Sequence, residues 1–338
     1  MSRGRSRAVS GRATTAAALI AAGLAILALL AGALIYAGPG PAAREGETTL
    51  VMLEPGKGVA RIAGALADAG VIRSATAFSV AARLIGAGGD LKAGEYEIAS
   101  RASLAQVLDQ VRDGRVIRRS VTIPEGWTSA MAVDALNALP VLTGAVAEPP
   151  EGSLLPDTYA YQRGETRQAV LERMQAAHDK ALADLWAERQ PGLPLATPDE
   201  AVVLASIVEK ETGIASERPR VAAVFTNRLR AGMPLQSDPT VIYGVSKGRP
   251  LGRGILASEL ARETPWNTYR RIGLPPTPIA NPGRDALAAV LNPPATDELF
   301  FVADGTGGHA FAVTYAEHNA NVQRWRAIER QRAAQAKP

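Results

Sequence analysis

No cysteine occurs among the 338 residues. That excludes a disulfide framework, a thiolate metal site and a cysteine nucleophile. Histidine is almost as scarce: only His178, His309 and His318 are present, so no histidine-rich metal centre is expected, and no cofactor. Acids are missing from the start of the chain, where Arg3, Arg5, Arg7 and Arg12 all precede the first acid, Glu45. Those four arginines account for the whole formal charge of +4, because the other basic residues equal the 33 acids in number. The body is neutral, which excludes a nucleic-acid partner that needs a basic face to track phosphates. No G-x-G-x-x-G or P-loop pattern is there to cradle a nucleotide.

What is present begins with an apolar run. Residues 13–37 carry no charge, and about 20 apolar residues cross a hydrocarbon core of roughly 30 Å. Tyr36 suits the membrane interface, and Pro39 and Pro41 stop the helix just beyond it. The basic tail, residues 1–12, precedes the run and only Arg44 follows closely. The positive-inside bias then puts the N-terminus in the cytoplasm and the body outside the inner membrane on a single-pass anchor. The alternative is a cleaved signal peptide, with Ala31-Gly32-Ala33 as its small-x-small site, although the run is longer than the usual stretch of about 7–15 residues.

Over the whole chain, hydrophobic residues (47%) outweigh charged ones (21%) enough for a folded body beyond the anchor. Residues 48–53 read as a strand, 59–69 and 75–85 as helices, 94–98 as a half-buried strand and 104–111 as a helix. Val121-Thr122-Ile123 reads as another strand before the Pro124-Glu125-Gly126 turn, completing a small α+β module over residues 48–126. Glu148-Pro149-Pro150-Glu151-Gly152 marks a boundary. From 151 to 338 the chain reads as mostly helical with one late hairpin, residues 299–303 and 309–313 around Asp304-Gly305-Thr306-Gly307-Gly308. Thr314 and Glu317 form a capping box that starts the last helix.

The most informative stretch starts at Thr197, an N-cap followed by Pro198 and, at the third helical position, Glu200. The helix it opens ends at Glu209-Lys210-Glu211-Thr212, with Gly213 as its stop. At 100° per residue, Leu204, Ile207, Val208 and Glu211 share a core-facing stripe, whereas Glu209 points elsewhere. A glutamate at the end of such a stripe is desolvated and has a raised pKa, which suits a general acid near neutral pH. The structural alternative is an ion pair with Arg218, Arg220 or Arg228. Other candidates are weaker. Gly244-Val245-Ser246-Lys247-Gly248 has the G-x-S-x-G form, but Pro250 opposes the helix that a nucleophile elbow requires. Asp238, followed by Pro239, reads as the N-cap of a short helix stopped at Gly244, and His309 and His318 read as structural.

At these residues the chain resembles the endolytic murein transglycosylases, the MltG or YceG-like family. The matching text is Ala205-Ser206-Ile207-Val208-Glu209-Lys210-Glu211-Thr212, Ala215-Ser216-Glu217-Arg218, Thr226-Asn227-Arg228-Leu229 and Leu235-Gln236-Ser237-Asp238-Pro239-Thr240-Val241-Ile242-Tyr243-Gly244. Asn267-Thr268-Tyr269, Gly273-Leu274-Pro275-Pro276 and Gly308-His309 continue it. The resemblance implies an α+β fold: a transmembrane helix, a LysM-like module around Lys92-Ala93-Gly94-Glu95-Tyr96, and a mostly helical catalytic domain. It implies Glu211 as the catalytic residue, and substrate contacts from Glu217, Asn227, Gln236, Asp238, Thr240, Tyr243, Asn267 and Tyr269. It also implies peptidoglycan glycan strands as substrate, 1,6-anhydro-N-acetylmuramic acid ends as product, and glycan-polymerising synthases as partners. A hydrolase using a second carboxylate and a non-enzymatic wall-binding anchor are the alternatives. One departure is visible: Ser153-Leu154 stands where the family usually has an aromatic residue.

Overall fold

The computed structural model describes residues 6–335, so Arg3, Arg5 and the C-terminal Pro338 lie outside the described residues. The fold is mixed α and β, with twelve α-helices and three two-stranded sheets among the described residues. Contacts divide it into two units, residues 1–119 and 120–338.

The first unit opens with α1 (Ser6–Ala37), whose segment Ala16–Ala37 is long and apolar enough to cross a membrane and is unburied by the protein. Next come β1 (Thr48–Leu53), α2 (Val59–Asp68), α3 (Ala75–Leu84), a 3-10 turn at Ala87–Gly89, β2 (Gly94–Ala99) and α4 (Leu104–Asp113). β1 and β2 pair antiparallel from Thr48↔Ala99 to Leu53↔Gly94, enclosing α2 and α3 between them in sequence. Val51 and Leu53 alternate inward, as strand periodicity requires, onto Ile62, Leu66, Phe78 and Leu108. Tyr96 is fully buried there, and its hydroxyl donates to the Lys92 carbonyl at 2.7 Å, so its polar end is satisfied. α4 starts on a capping box, in which Ser103 accepts from the Gln106 amide and Gln106 accepts from the Ser103 amide.

The second unit opens within β3 (Arg119–Thr122) and continues with α5 (Ser129–Asn137), β4 (Thr158–Tyr161) and the long α6 (Arg167–Ala187). The strand expected to complete the small module does not do so. β3 pairs with β4, because the apolar faces of both close over Leu136, Leu154, Val170 and Met174. The Glu148–Gly152 segment likewise lies inside this unit. Its Glu151 carboxylate accepts from the Ser129 amide at 2.8 Å and from the Tyr243 hydroxyl at 3.3 Å.

The remaining elements are α7 (Pro198–Glu211), α8 (Arg218–Arg230), α9 (Asp238–Ser246), α10 (Ala257–Ala261), α11 (Arg284–Leu291), β5 (Phe300–Ala303), β6 (His309–Ala312) and α12 (Tyr315–Gln335). β5 and β6 form the expected hairpin, Phe300↔Ala312 to Ala303↔His309. Thr314 and Glu317 cap α12 reciprocally. α7 is the centre of this unit: all eight residues from 201 to 208 are buried, packed by α6, α8, α9 and α11. A helix buried all round has no polar face. The amphipathic stripe is therefore one side of a rod enclosed from 201 to 208, and the Glu209 side chain beyond it does not face water either.

Candidate active site

α7 delivers Glu211 because both of its ends are specified locally. Thr197 accepts from the Glu200 amide at 3.2 Å, and Pro198 occupies the first turn, where its missing N–H costs nothing. At the other end Thr212 turns extended (φ −141°, ψ 132°), so the backbone leaves the helix at Thr212 itself, without a left-handed glycine. Glu211 is half-buried at this end. None of the neighbouring arginines pairs with it. Arg218 reaches Glu209, Glu125 and Asp285, and Arg220 pairs with Glu298. Arg228, buried, spends its donors on the carbonyls of Leu299 (2.7 Å) and Leu235 (2.6 Å).

The partner of Glu211 is Ser237, whose hydroxyl donates to Glu211 Oε1 at 2.5 Å. A chain of threonines holds that serine. Its amide donates to Thr268 Oγ1 at 2.9 Å, and its carbonyl accepts from Thr240 Oγ1 at 2.6 Å. The 2.9 Å contact between the two threonine hydroxyls then has Thr268 as donor, since Thr240 has already given its single proton. Gln236, just before, adopts a left-handed backbone (φ 54°), which costs a non-glycine residue of order 1 kcal/mol and is held by its amide bond to the Thr268 carbonyl at 3.1 Å.

Desolvation pushes the Glu211 carboxyl up to about 7, and the neighbouring Asp238 carboxylate adds to the rise. The Ser237 hydrogen bond opposes it, as do the charges of His309 and Arg228. A carboxyl so placed is protonated in a large fraction of molecules near neutral pH and can also act as a base once ionised.

Three further groups surround it. Asp238 is not the N-cap of α9, which is Ser237. It occupies the first helical position, where the amide ends favour an anion, and accepts from the Tyr269 hydroxyl at 2.7 Å. α9 runs through Gly244 to Ser246, past the expected stop. Burial and the Asp238 carboxylate raise the pKa of Tyr269. Glu217 binds His309 twice, accepting from its amide at 2.9 Å and lying 2.8 Å from Nδ1. A carboxylate only accepts, so Nδ1 carries the proton. Gly308 permits the approach: a Cβ there would lie 2.5 Å from Glu217 Oε1.

The expected site residues thus separate. Glu211, Asp238, Thr240, Tyr269 and, through His309, Glu217 gather at one place. Asn227 holds the carbonyls of Thr296 (2.6 Å) and Glu298 (3.0 Å), and buried Asn267 holds those of Leu260 and Arg262. Tyr243 packs in the core with its hydroxyl on Glu151. Those three are scaffold contacts. Ser237, Thr268, Arg228 and His309 were missed as site residues, although each is a polar residue within the motif text. The helical wheel turns Glu209 away from the core, but the structure buries it. It is 5% exposed, and its Oε2 accepts from the Gly283 amide at 2.9 Å. Leu154 is fully buried, so the position that departs from the family pattern packs the core.

The family model described as the YceG-like family matches residues 51–324. The chain belongs to the YceG-like family. Endolytic murein transglycosylase is the name of a relative from Streptococcus pneumoniae (strain D39), 30% identical over 80% of this chain. The Bacillus subtilis protein of that name is 27% identical over 82% of the chain. This YceG-like chain spans 57% of the length of the pneumococcal relative and 85% of the Bacillus one. A crystal structure of a yceG-like protein from Listeria monocytogenes superposes with a TM-score of 0.50 at 27% identity, covering 82% of this chain and 99% of that one.

Proposed function

We propose that this YceG-like protein is a membrane-anchored endolytic lytic transglycosylase that cleaves the bond between N-acetylmuramic acid and N-acetylglucosamine within peptidoglycan strands. The observation that carries the proposal is the Glu211–Ser237 pair: one desolvated carboxyl with a pKa of about 7 that forms no salt bridge among the described residues. Glu211 protonates the glycosidic oxygen as the bond to C1 of muramic acid breaks. The C6 hydroxyl of the same sugar attacks C1, and Glu211, now a carboxylate, takes its proton. No water is consumed, and the nucleophile is tethered, with the effective concentration that brings. Asp238, the carboxylate whose charge acts on Glu211, is engaged by Tyr269, which supports a one-carboxylate mechanism over hydrolysis.

The apolar α1 supports anchoring, and the arginines before it support an extracytoplasmic body. The antiparallel strand pair enclosing α2 and α3 supports a LysM-like, glycan-binding role for the first unit. Work beside glycan-polymerising synthases follows from the family resemblance alone. Mass analysis of fragments from digested glycan tests the chemistry. Anhydro-muramic ends, lighter by one water and resistant to borohydride, are expected, with long oligosaccharides appearing before disaccharides. Reducible muramic ends would replace this mechanism with hydrolysis and direct attention to Asp238. A reporter fused after Pro338 and active only outside the cytoplasm tests the orientation.

A further inference from the structure

α3 carries two apolar faces, and the first unit uses one. Phe78 and Ala82 are buried in its core, whereas Val80, Leu84 and Ile85 are 48%, 82% and 43% exposed. The exposed face looks onto α1. The N-terminal end of α3, at Ser74 and Ala77, lines a groove with residues Gly38, Pro39, Gly40 and Pro41. Its C-terminal end, at Val80, Leu84 and Ile85, lines a second groove of about 510 Å³ with Leu29, Ala33 and Tyr36. α3 therefore runs back alongside the outer end of the apolar helix, and every residue lining the second groove is apolar or Tyr36.

We infer that α3 lies in the membrane interface, with the groove between α1 and α3 filled by acyl chains of the outer leaflet. This rests on the reading of α1 as a membrane span. The length of α1 fits. Its 25 uncharged residues measure roughly 37 Å as a helix, against a hydrocarbon core of roughly 30 Å. A few residues at its outer end are spare, and there α3 meets it at the boundary between acyl chains and headgroups. The charge pattern fits as well. Residues 69–89 contain no acid and two arginines, Arg73 and Arg83, both exposed. Arginine on the rim of an apolar face reaches lipid phosphate while its stem covers hydrocarbon. A water-facing helix has no cause to combine an open apolar face with an acid-free surround.

The absence of native cysteine makes single-site labelling clean. The full chain carrying Leu84→Cys, Leu30→Cys or Glu54→Cys is labelled with an environment-sensitive fluorophore. Each is then reconstituted into phosphatidylethanolamine–phosphatidylglycerol vesicles in which some lipids bear a nitroxide high on the acyl chain. Leu30, exposed on α1, reports the span, and Glu54, exposed and outside both grooves, reports water. The expected result is a blue-shifted, nitroxide-quenched emission at positions 30 and 84, with neither change at 54. Quenching at 30 with unshifted, unquenched emission at 84 would overturn the interfacial placement while leaving the anchor intact. A blue shift at 84 without quenching would also overturn it, because protein would then cover the face. Loss of both signals at 30 would remove the anchor itself, and the inference with it.

Discussion

Ser237 and Glu211, 26 residues apart, share a 2.5 Å hydrogen bond in which the serine hydroxyl donates to the carboxylate. The serine is itself held through its amide and carbonyl by Thr268 and Thr240. Burial sets the high proton affinity of the carboxyl, and one small, buried, fully bonded group fixes its position and moderates that affinity. Loss of a single hydroxyl in this arrangement changes a pKa before it changes a shape.

Glu211→Gln should abolish glycan cleavage while leaving the melting temperature at or above that of the parent near pH 7. The amide keeps the bond to Ser237 but has no proton to transfer, and removing a positioned general acid costs on the order of 10²–10⁴ in rate. Glu209→Gln should behave in the opposite sense. The amide oxygen still accepts from Gly283, but Arg218 loses a buried anionic partner, so stability falls by about 1–3 kcal/mol with cleavage per folded molecule retained. Rate and thermal melts on the same preparations separate the two. Equal loss of rate per folded molecule in both would reject the assignment of Glu211.

Ser237→Ala should move the pH profile of cleavage. The hydroxyl stabilises the carboxylate form, so its removal raises the Glu211 pKa further above about 7. The alkaline limb, where the acid loses its proton before reaching substrate, should shift upward by about one to two pH units, since a hydrogen bond to a charged group is worth roughly 1.5–3 kcal/mol. A rate measured across pH 5–10 (about that range spans both limbs) reads the shift. A fall in rate with the limb unmoved would mean that the serine only packs.

Stability should also depend on this carboxyl. Its folded pKa lies above its unfolded one, so the native state binds the proton more tightly. The associated stability is fully present below about pH 4.5 and is lost as pH rises through about 7. The loss is at most about 3 kcal/mol, from a shift of roughly 2.5 units at 1.36 kcal/mol each. Glu211→Gln removes that dependence, so the variant should gain on the parent between pH 5 and pH 8 in denaturant titrations (about that window brackets the shift). Parallel stability curves for variant and parent over that window would show that the carboxyl is solvated.

The amino-acid sequence by itself determined whatever depends on neighbours within about four residues or one apolar run. The Thr197 and Thr314 caps, the hairpin of β5 and β6, the extent of α7 and the apolar length of α1 are such features. The stripe of α7 also singled out Glu211. It failed for Glu209, because a helical wheel gives angles between side chains and says nothing of which arcs are covered. α6, α8, α9 and α11 cover every arc from 201 to 208. Only the tertiary structure decided that β3 pairs with β4 and not with the small module. It alone brought Ser237 to Glu211, His309 to Glu217 across 92 positions and Glu209 to Gly283 across 74. The physical reason is desolvation. A polar group driven below the surface by its own apolar neighbours must find a partner wherever the packing brings one, and sequence distance does not enter that choice.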